Sequence, residues 1–163
     1  MDIRPYDPDA DPAALWGLKR EFELGLGTGT GDEQKETKYA GKVTDAYRDR
    51  YLQWVNRCVA DDERCVTVAD HTTDGLVGYV FVLPERLAMI WDAAVLNEIY
   101  VEPDHRGSDV ADDLMAVALE FARDQELPLE RLVLDVDREN DRAQAFYERH
   151  GFTHWGEMVA REL

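Results

Sequence analysis

Residues 95–122, VLNEIYVEPDHRGSDVADDLMAVALEFA, constrain this chain more than any other stretch. Val95 to Val101 is apolar and β-branched enough for a strand, and Pro103 stops it. Arg106-Gly107-Ser108 makes the turn, with Gly107 free to take the positive φ that other residues resist. From Val110 the apolar positions fall at Ala111, Leu114, Met115, Ala118, Leu119 and Ala122, a helical stripe. Strand, glycine turn and helix N-terminus together present several backbone N–H groups and a positive dipole end, an arrangement that binds phosphate. An ordinary strand–helix turn has the same signature, so this stretch alone leaves both readings open.

A second stretch narrows them. Residues 132–152, LVLDVDRENDRAQAFYERHGF, read strand, turn, helix and then Gly151-Phe152. The first stretch carries Ile99-Tyr100-Val101-x-Pro103 and Arg106-Gly107 with Ala111 and Leu114. They are followed by Asn140-x-x-Ala143-x-x-Phe146-Tyr147-x-x-x-Gly151-Phe152. In this order the pair resembles the acyl-CoA-binding core of the GNAT superfamily of N-acetyltransferases. The resemblance implies one mixed α/β domain over residues 1–163. Its order is strand, helix, helix, three strands, helix, strand, helix, strand, with two central strands splayed apart to form the acyl-CoA cleft. It implies acetyl-CoA as cofactor and acetyl transfer to a primary amine of a small molecule or peptide, by direct attack in a ternary complex. A degenerate acyl-CoA-binding or interaction module is the alternative.

The resemblance also assigns residues. Backbone groups of Ile99 and Val101 would pair with the pantetheine amides. The turn Arg106, Gly107, Ser108, Asp109, Val110 and Ala111 would hold the pyrophosphate, and Asn140 would lie on the cofactor side. Asp109 stands where the family's Arg-x-x-Gly-x-Gly/Ala pattern has a glycine. Asp tolerates left-handed backbone better than most residues, so the loop shape is expected to survive. Together with Asp112 and Asp113 its carboxylate suits the helix dipole but repels phosphate. Tyr147 matches the family tyrosine near the cofactor sulfur and is the candidate general acid. Glu98, flanked by apolar residues on the central strand, is the candidate base, with a raised pKa expected from its surroundings. Asp135 on the next strand is its rival. Homodimers are common in the family.

Composition sets outer limits. At 163 residues the chain can bury one substantial core. Thirty-five acids against eighteen Lys and Arg give a net charge of −17. Lysine occurs only at 19, 35, 38 and 42. Dense carboxylates repel less at molar salt, where the Debye length is about 3 Å, so a halophilic source is expected. No basic patch suited to nucleic acid is visible. No signal-like or membrane-length apolar run appears, so a cytoplasmic protein without membrane partners is expected. Cys58 and Cys65 lack partners at zinc spacing, which points to free thiols and no metal site.

The remaining elements follow from periodicity and breakers. Met1–Tyr6 reads as a first strand, and Asp11-Pro12 as an N-cap and first helical position. Leu15, Leu18 and Phe22 line that helix, which is expected to end in Gly25, Gly27, Gly29 and Gly31. Residues 25–43 read as a long loop. Tyr47, Tyr51, Trp54, Val55, Cys58 and Val59 mark a second helix from Asp45 to about Ala60, a stripe more typical of core than of a ligand box. Strands are expected at 65–69 and 76–83 around Thr73-Asp74-Gly75, then at 132–136 and 153–161. The acceptor pocket would combine the 25–43 loop, the second helix and strand-end residues near Glu98.

Overall fold

The computed structural model describes residues 1–28 and 33–163. Five strands form one sheet in sequence order: β1 (Asp2–Pro5), β2 (Val66–His71), β3 (Gly75–Val82), β4 (Ala94–Val101) and β5 (Leu132–Val133). The first four pair antiparallel, and β5 joins β4 parallel. The helices are α1 (Pro12–Thr28), α2 (Glu33–Lys42), α3 (Asp45–Asp61), α4 (Glu85–Ala88), α5 (Val110–Asp124) and α6 (Asp141–Arg149). The result is a mixed α/β fold whose central sheet opens into a cleft between β4 and β5.

The core sits on both faces of β3 and β4. Val77, Tyr79, Val80 and Phe81 are all buried, as are Leu15 of α1, Val55 of α3 and Leu114 and Met115 of α5. On one face Trp54 packs on Phe81 with ring centroids 4.9 Å apart. On the other, Gly78 lets α5 approach: a Cβ there would meet Tyr100 O at 2.9 Å and the Leu114 side chain at 3.3 Å. Cys58 and Cys65 are buried free thiols, pushed up by burial to about 11 and about 12. Among the described residues no helix is long and apolar enough to cross a membrane.

Several boundaries differ from the sequence-based expectation. Much of 25–43 is helical rather than loop: α1 runs through Gly25 to Thr28, and α2 occupies Glu33–Lys42. Residues 29–32, with Gly29 and Gly31, lie outside the described residues. An apolar stripe could not have revealed α2, because it buries no residue. Glu33 and Glu36 in its first turn and Lys42 in its last suit its dipole. Ion pairs from Lys35 to Asp137, Lys38 to Glu162 and Lys42 to Glu23 tie it down.

The last expected strand, 153–161, is not formed, and β5 stops at Val133 instead of Val136. With so short a neighbour the tail has no ladder to extend, and Gly156 adds no side chain to pack. Trp155, Met158 and Val159 stay exposed. Side chains alone hold the tail, Arg131 stacking on Trp155 at 4.0 Å and Arg138 pairing with Glu157. The Asp11 carboxylate binds Arg4 at 2.7 and 3.0 Å and the Asp7 N–H. Pro12 is nonetheless the first residue of α1. Glu85–Ala88, directly after Pro84, form the short helix α4.

Candidate functional site

The cleft begins with a bulge. Phe81 pairs with Glu98 but Val82 pairs with Leu96, so Asn97 is the extra residue on β4. Beyond it, Glu102 N–H donates to Val77 O at 2.8 Å, which fixes the alternation of the ladder. Glu98 and Tyr100 therefore direct their backbone groups at β3, while Ile99 and Val101 direct theirs away from it. On that side β5 pairs with Ala94 and Val95, so among the described residues no strand faces Ile99 or Val101. The Val101 carbonyl is occupied by Arg106 Nε at 2.8 Å. An extended chain of amides could pair along this bare edge as an added strand does.

The bulge also aims Glu98 into a buried polar cluster. The Glu98 side chain is buried, and its Oε1 accepts from Lys19 Nζ at 2.6 Å and Asn97 Nδ2 at 3.2 Å. Its Oε2 accepts from the hydroxyls of Tyr51 and Tyr79, each at 2.8 Å. Lys19 pairs in turn with Glu23 at 2.5 Å, and Glu23 with Lys42 at 2.8 Å. Burial would lower the Lys19 pKa, but the charges of Glu98 and Glu23 prevail and hold it above its ordinary value. Burial first, then the Glu98 charge, raises Tyr51 and Tyr79 well above the usual phenol range, so both remain donors.

Glu98 is also the floor of an open cleft of about 460 Å3. Its walls are Tyr47, Arg50, Tyr51, Trp54 and Arg57 of α3. The α3 stripe thus does two jobs: Tyr51, Val55 and Cys58 are buried core, while Tyr47 and Trp54 are half-buried and face the cleft.

The turn after β4 leads into α5 through a left-handed glycine. Gly107 has φ 79°, and Ser108 Oγ donates to His105 O at 2.6 Å. Asp109 does not adopt the left-handed backbone: φ −75° and ψ −4° are right-handed, so this position does not demand glycine. Its side chain makes no cap, and the first bond of α5 is Asp113 N–H to Asp109 O at 2.8 Å. The N–H groups of Val110, Ala111 and Asp112 are the helix's unpaired donors. Asp112 is offset by α6, its carboxylate lying 2.6 Å from Arg149 and 2.7 Å from His150 Nε2. Arg149, then His150, hold it below the usual carboxylate range. Arg142 was not apparent as a site residue from the sequence. Its pKa is lowered by burial first and then by the charge of neighbouring Arg106.

Asn140 caps α6, its Oδ1 accepting from Ala143 N–H at 3.1 Å. Tyr147 packs edge-on against Phe146 and Phe152, with centroids 5.5 and 5.6 Å away. Burial pushes its phenol up to about 12. Asp135 lies past the end of β5, exposed, and is not among the residues that line the Glu98 cleft.

A splayed mixed sheet, a β4 bulge and an uncapped glycine turn define an acyltransferase-like fold. Residues 30–152 match the Acetyltransferase (GNAT) family, and the chain belongs to that family. It is 38% identical over 74 residues to the mycothiol acetyltransferase of Salinispora tropica, covering 44% of this chain. The match spans only about a quarter (24%) of that relative's length. The PaiA N-acetyltransferase of Thermoplasma acidophilum, solved with coenzyme A, superposes with a TM-score of 0.69 at 19% identity, over 93% of this chain and 89% of that one. The aminoglycoside N-acetyltransferase AAC(6')-Iy, solved with CoA, gives 0.68 at 15% identity, over 99% and 93%. At such identities the likeness is one of fold.

Proposed function

We propose that this protein transfers an acetyl group from acetyl-CoA to the primary amine of a small molecule or peptide, by direct attack in a ternary complex. The observation that carries this reading is the bare edge of β4, which meets an uncapped helix N-terminus at one end and a buried carboxylate at the bulge. The residues present fit the cofactor. The N–H groups of Ile99 and Val101 suit pantetheine amides. The turn Arg106, Gly107, Ser108, Asp109, Val110 and Ala111, with Arg142, suits the phosphates, and Asn140 flanks the same side. Pairing of Asp112 with Arg149 and His150 removes part of the repulsion an anion would otherwise meet.

When bound, acetyl-CoA supplies a thioester carbonyl carbon to which the amine nitrogen bonds as the carbon–sulfur bond breaks. A β4 N–H polarises the carbonyl oxygen. Tyr147 holds its proton through neutral pH, with a phenol pushed up to about 12, and delivers it to the departing sulfur. Glu98 takes the proton released by the amine, through Tyr51 or a water, because its four hydrogen-bond partners leave little room for direct contact. The charge of −17 and scarcity of lysine support a surface adapted to concentrated salt.

The test is calorimetric titration with acetyl-CoA in molar KCl and in dilute buffer, followed by thiol release with a panel of amines. Binding with amine-dependent release supports the enzyme. Binding without release would leave a cofactor-binding module, and no binding at either salt would sink both.

A further inference from the structure

The cleft above Glu98 has the opposite charge to the rest of the molecule. Across the whole chain acids outnumber Lys and Arg by 35 to 18. Among the described residues Glu98 is the one acid lining this cleft, and Lys19 already pairs with it. The other charged walls are the guanidiniums of Arg50 and Arg57. Neither has an ion-pair or hydrogen-bond partner among the described residues, whereas Arg48 of the same helix pairs with Asp45 and Asp49. On so acidic a surface, two unpaired guanidiniums in one concavity call for a ligand.

Helix geometry gives them a use. Positions 50 and 57 are seven residues apart, so they share a face of α3 and are separated by about 10 Å along its axis. Trp54 lies between them on the same face, with Tyr47 one turn before Arg50. A flexible chain can thus lie against aromatic surface with one end at Glu98 and the other at a guanidinium. Guanidinium is planar and matches carboxylate through two parallel N–H···O bonds.

We infer that the acceptor is a small primary amine carrying a carboxylate, its amine directed at Glu98 and its carboxylate bound by Arg50 or Arg57. This rests on the acetyltransferase reading and deepens it. Polyamine-like or otherwise purely cationic acceptors are disfavoured, although the net charge of the chain would suggest them.

The experiment uses the full chain with saturating acetyl-CoA in molar KCl. Straight-chain ω-amino acids of two to six carbons are compared with their carboxamides and with diamines of equal length. The expected result is kcat/KM for the best amino acid at least about tenfold above its amide, in line with a charge-assisted hydrogen bond, and the diamine lowest. In the Arg50→Gln/Arg57→Gln double variant the acid-to-amide ratio should fall to about one. Both positions are exposed, so the fold is not at stake. Amide or diamine used as well as the acid, or a ratio unmoved in the double variant, overturns the inference while leaving acetyl transfer standing. If no amine is acetylated, the acetyltransferase reading fails and calorimetric binding of the same amino acids in the presence of CoA decides. Binding lost in the double variant upholds the carboxylate site, and absent or unaltered binding overturns it.

Discussion

Lys19 Nζ lies 2.6 Å from Glu98 Oε1 and 2.5 Å from Glu23 Oε1, with all three side chains at most 5% exposed. One ammonium thus bridges two carboxylates, one on its own helix and one on β4, 79 residues away in sequence, while Lys42 pairs with the first of them from outside. Removing Lys19 leaves the buried Glu98 carboxylate without a cation and Glu23 with Lys42 alone. Lys19→Met should lower the unfolding free energy by about 3–5 kcal/mol, the usual cost of breaking a buried pair from one side. Urea denaturation checks this, and an unchanged midpoint with an unchanged slope would refute it.

The same cluster sets a pH dependence. Burial alone would raise Glu23, but Lys19 and then Lys42 hold its folded pKa below the ordinary value of 4.5. A depressed folded pKa stabilises above the unfolded value and the contribution is lost as pH falls through the folded one. Wild-type stability should therefore decline as pH drops below about 4.5. Glu23→Gln should start less stable at neutral pH and decline less steeply in acid. Parallel acid slopes from unfolding curves between pH 3 and 7 would count against this.

Much of this cluster was legible only in part. The stretch 95–122 announced its strand, turn and helix because β-branched run, proline, glycine and apolar stripe agree, and the helix that ends before Gly151 was equally readable. Lys19 and Glu23 sit on the same face as Leu15, Leu18 and Phe22, and that intrusion of charge into an apolar stripe was the available signal. Which acid Lys19 would meet depends on a bulge, and one residue of register is invisible to alternation. Helix α2 escaped notice because ion pairs rather than apolar burial hold it. Whether the tail from residue 153 pairs as a strand depends on where β5 leaves the sheet, which the tail's own residues do not record.

The choice between Glu98 and Asp135 is open to a paired test. Glu98→Gln keeps the shape but removes the negative charge and turns one of two oxygens that accept from Lys19, Asn97, Tyr51 and Tyr79 into a donor, and turnover should fall by about 10²–10⁴. Asp135→Asn, at an exposed position outside the cleft lining, should cost less than about threefold, within the range of a surface substitution. Steady-state kcat across pH 6–10 reads both, and the pH-dependent limb should change in Glu98→Gln alone. If it changes in Asp135→Asn instead, the base has been misassigned.

Tyr147→Phe isolates one hydroxyl in an aromatic packing of Phe146 and Phe152 that a phenylalanine can keep. If proton delivery limits the rate, kcat should drop by about two to four powers of ten, with acetyl-CoA affinity changed less than about threefold. Because burial carries the phenol to about 12, the wild-type enzyme should show no loss of this donor near pH 10. Stopped thiol release and equilibrium titration separate the two quantities. Equal turnover in the variant would remove Tyr147 from the reaction.

Arg106 lies near enough to Arg142 for its charge to lower the Arg142 pKa, a repulsion that a bound anion would relieve. Arg106 is anchored by Val101 O and stacked over Tyr100 at 5.5 Å, so Arg142 is the freer of the two. Arg142→Gln should weaken CoA binding by about tenfold at low salt, the scale of one charge-assisted contact. The loss should shrink in molar KCl, where the Debye length falls to about 3 Å. Pantetheine, which lacks the phosphates, supplies the control: calorimetry should show variant and wild type binding it alike. A comparable loss for pantetheine would mean that Arg142 shapes the cleft rather than holding phosphate, and the anion would then rest on Arg106 and the α5 N-terminus alone.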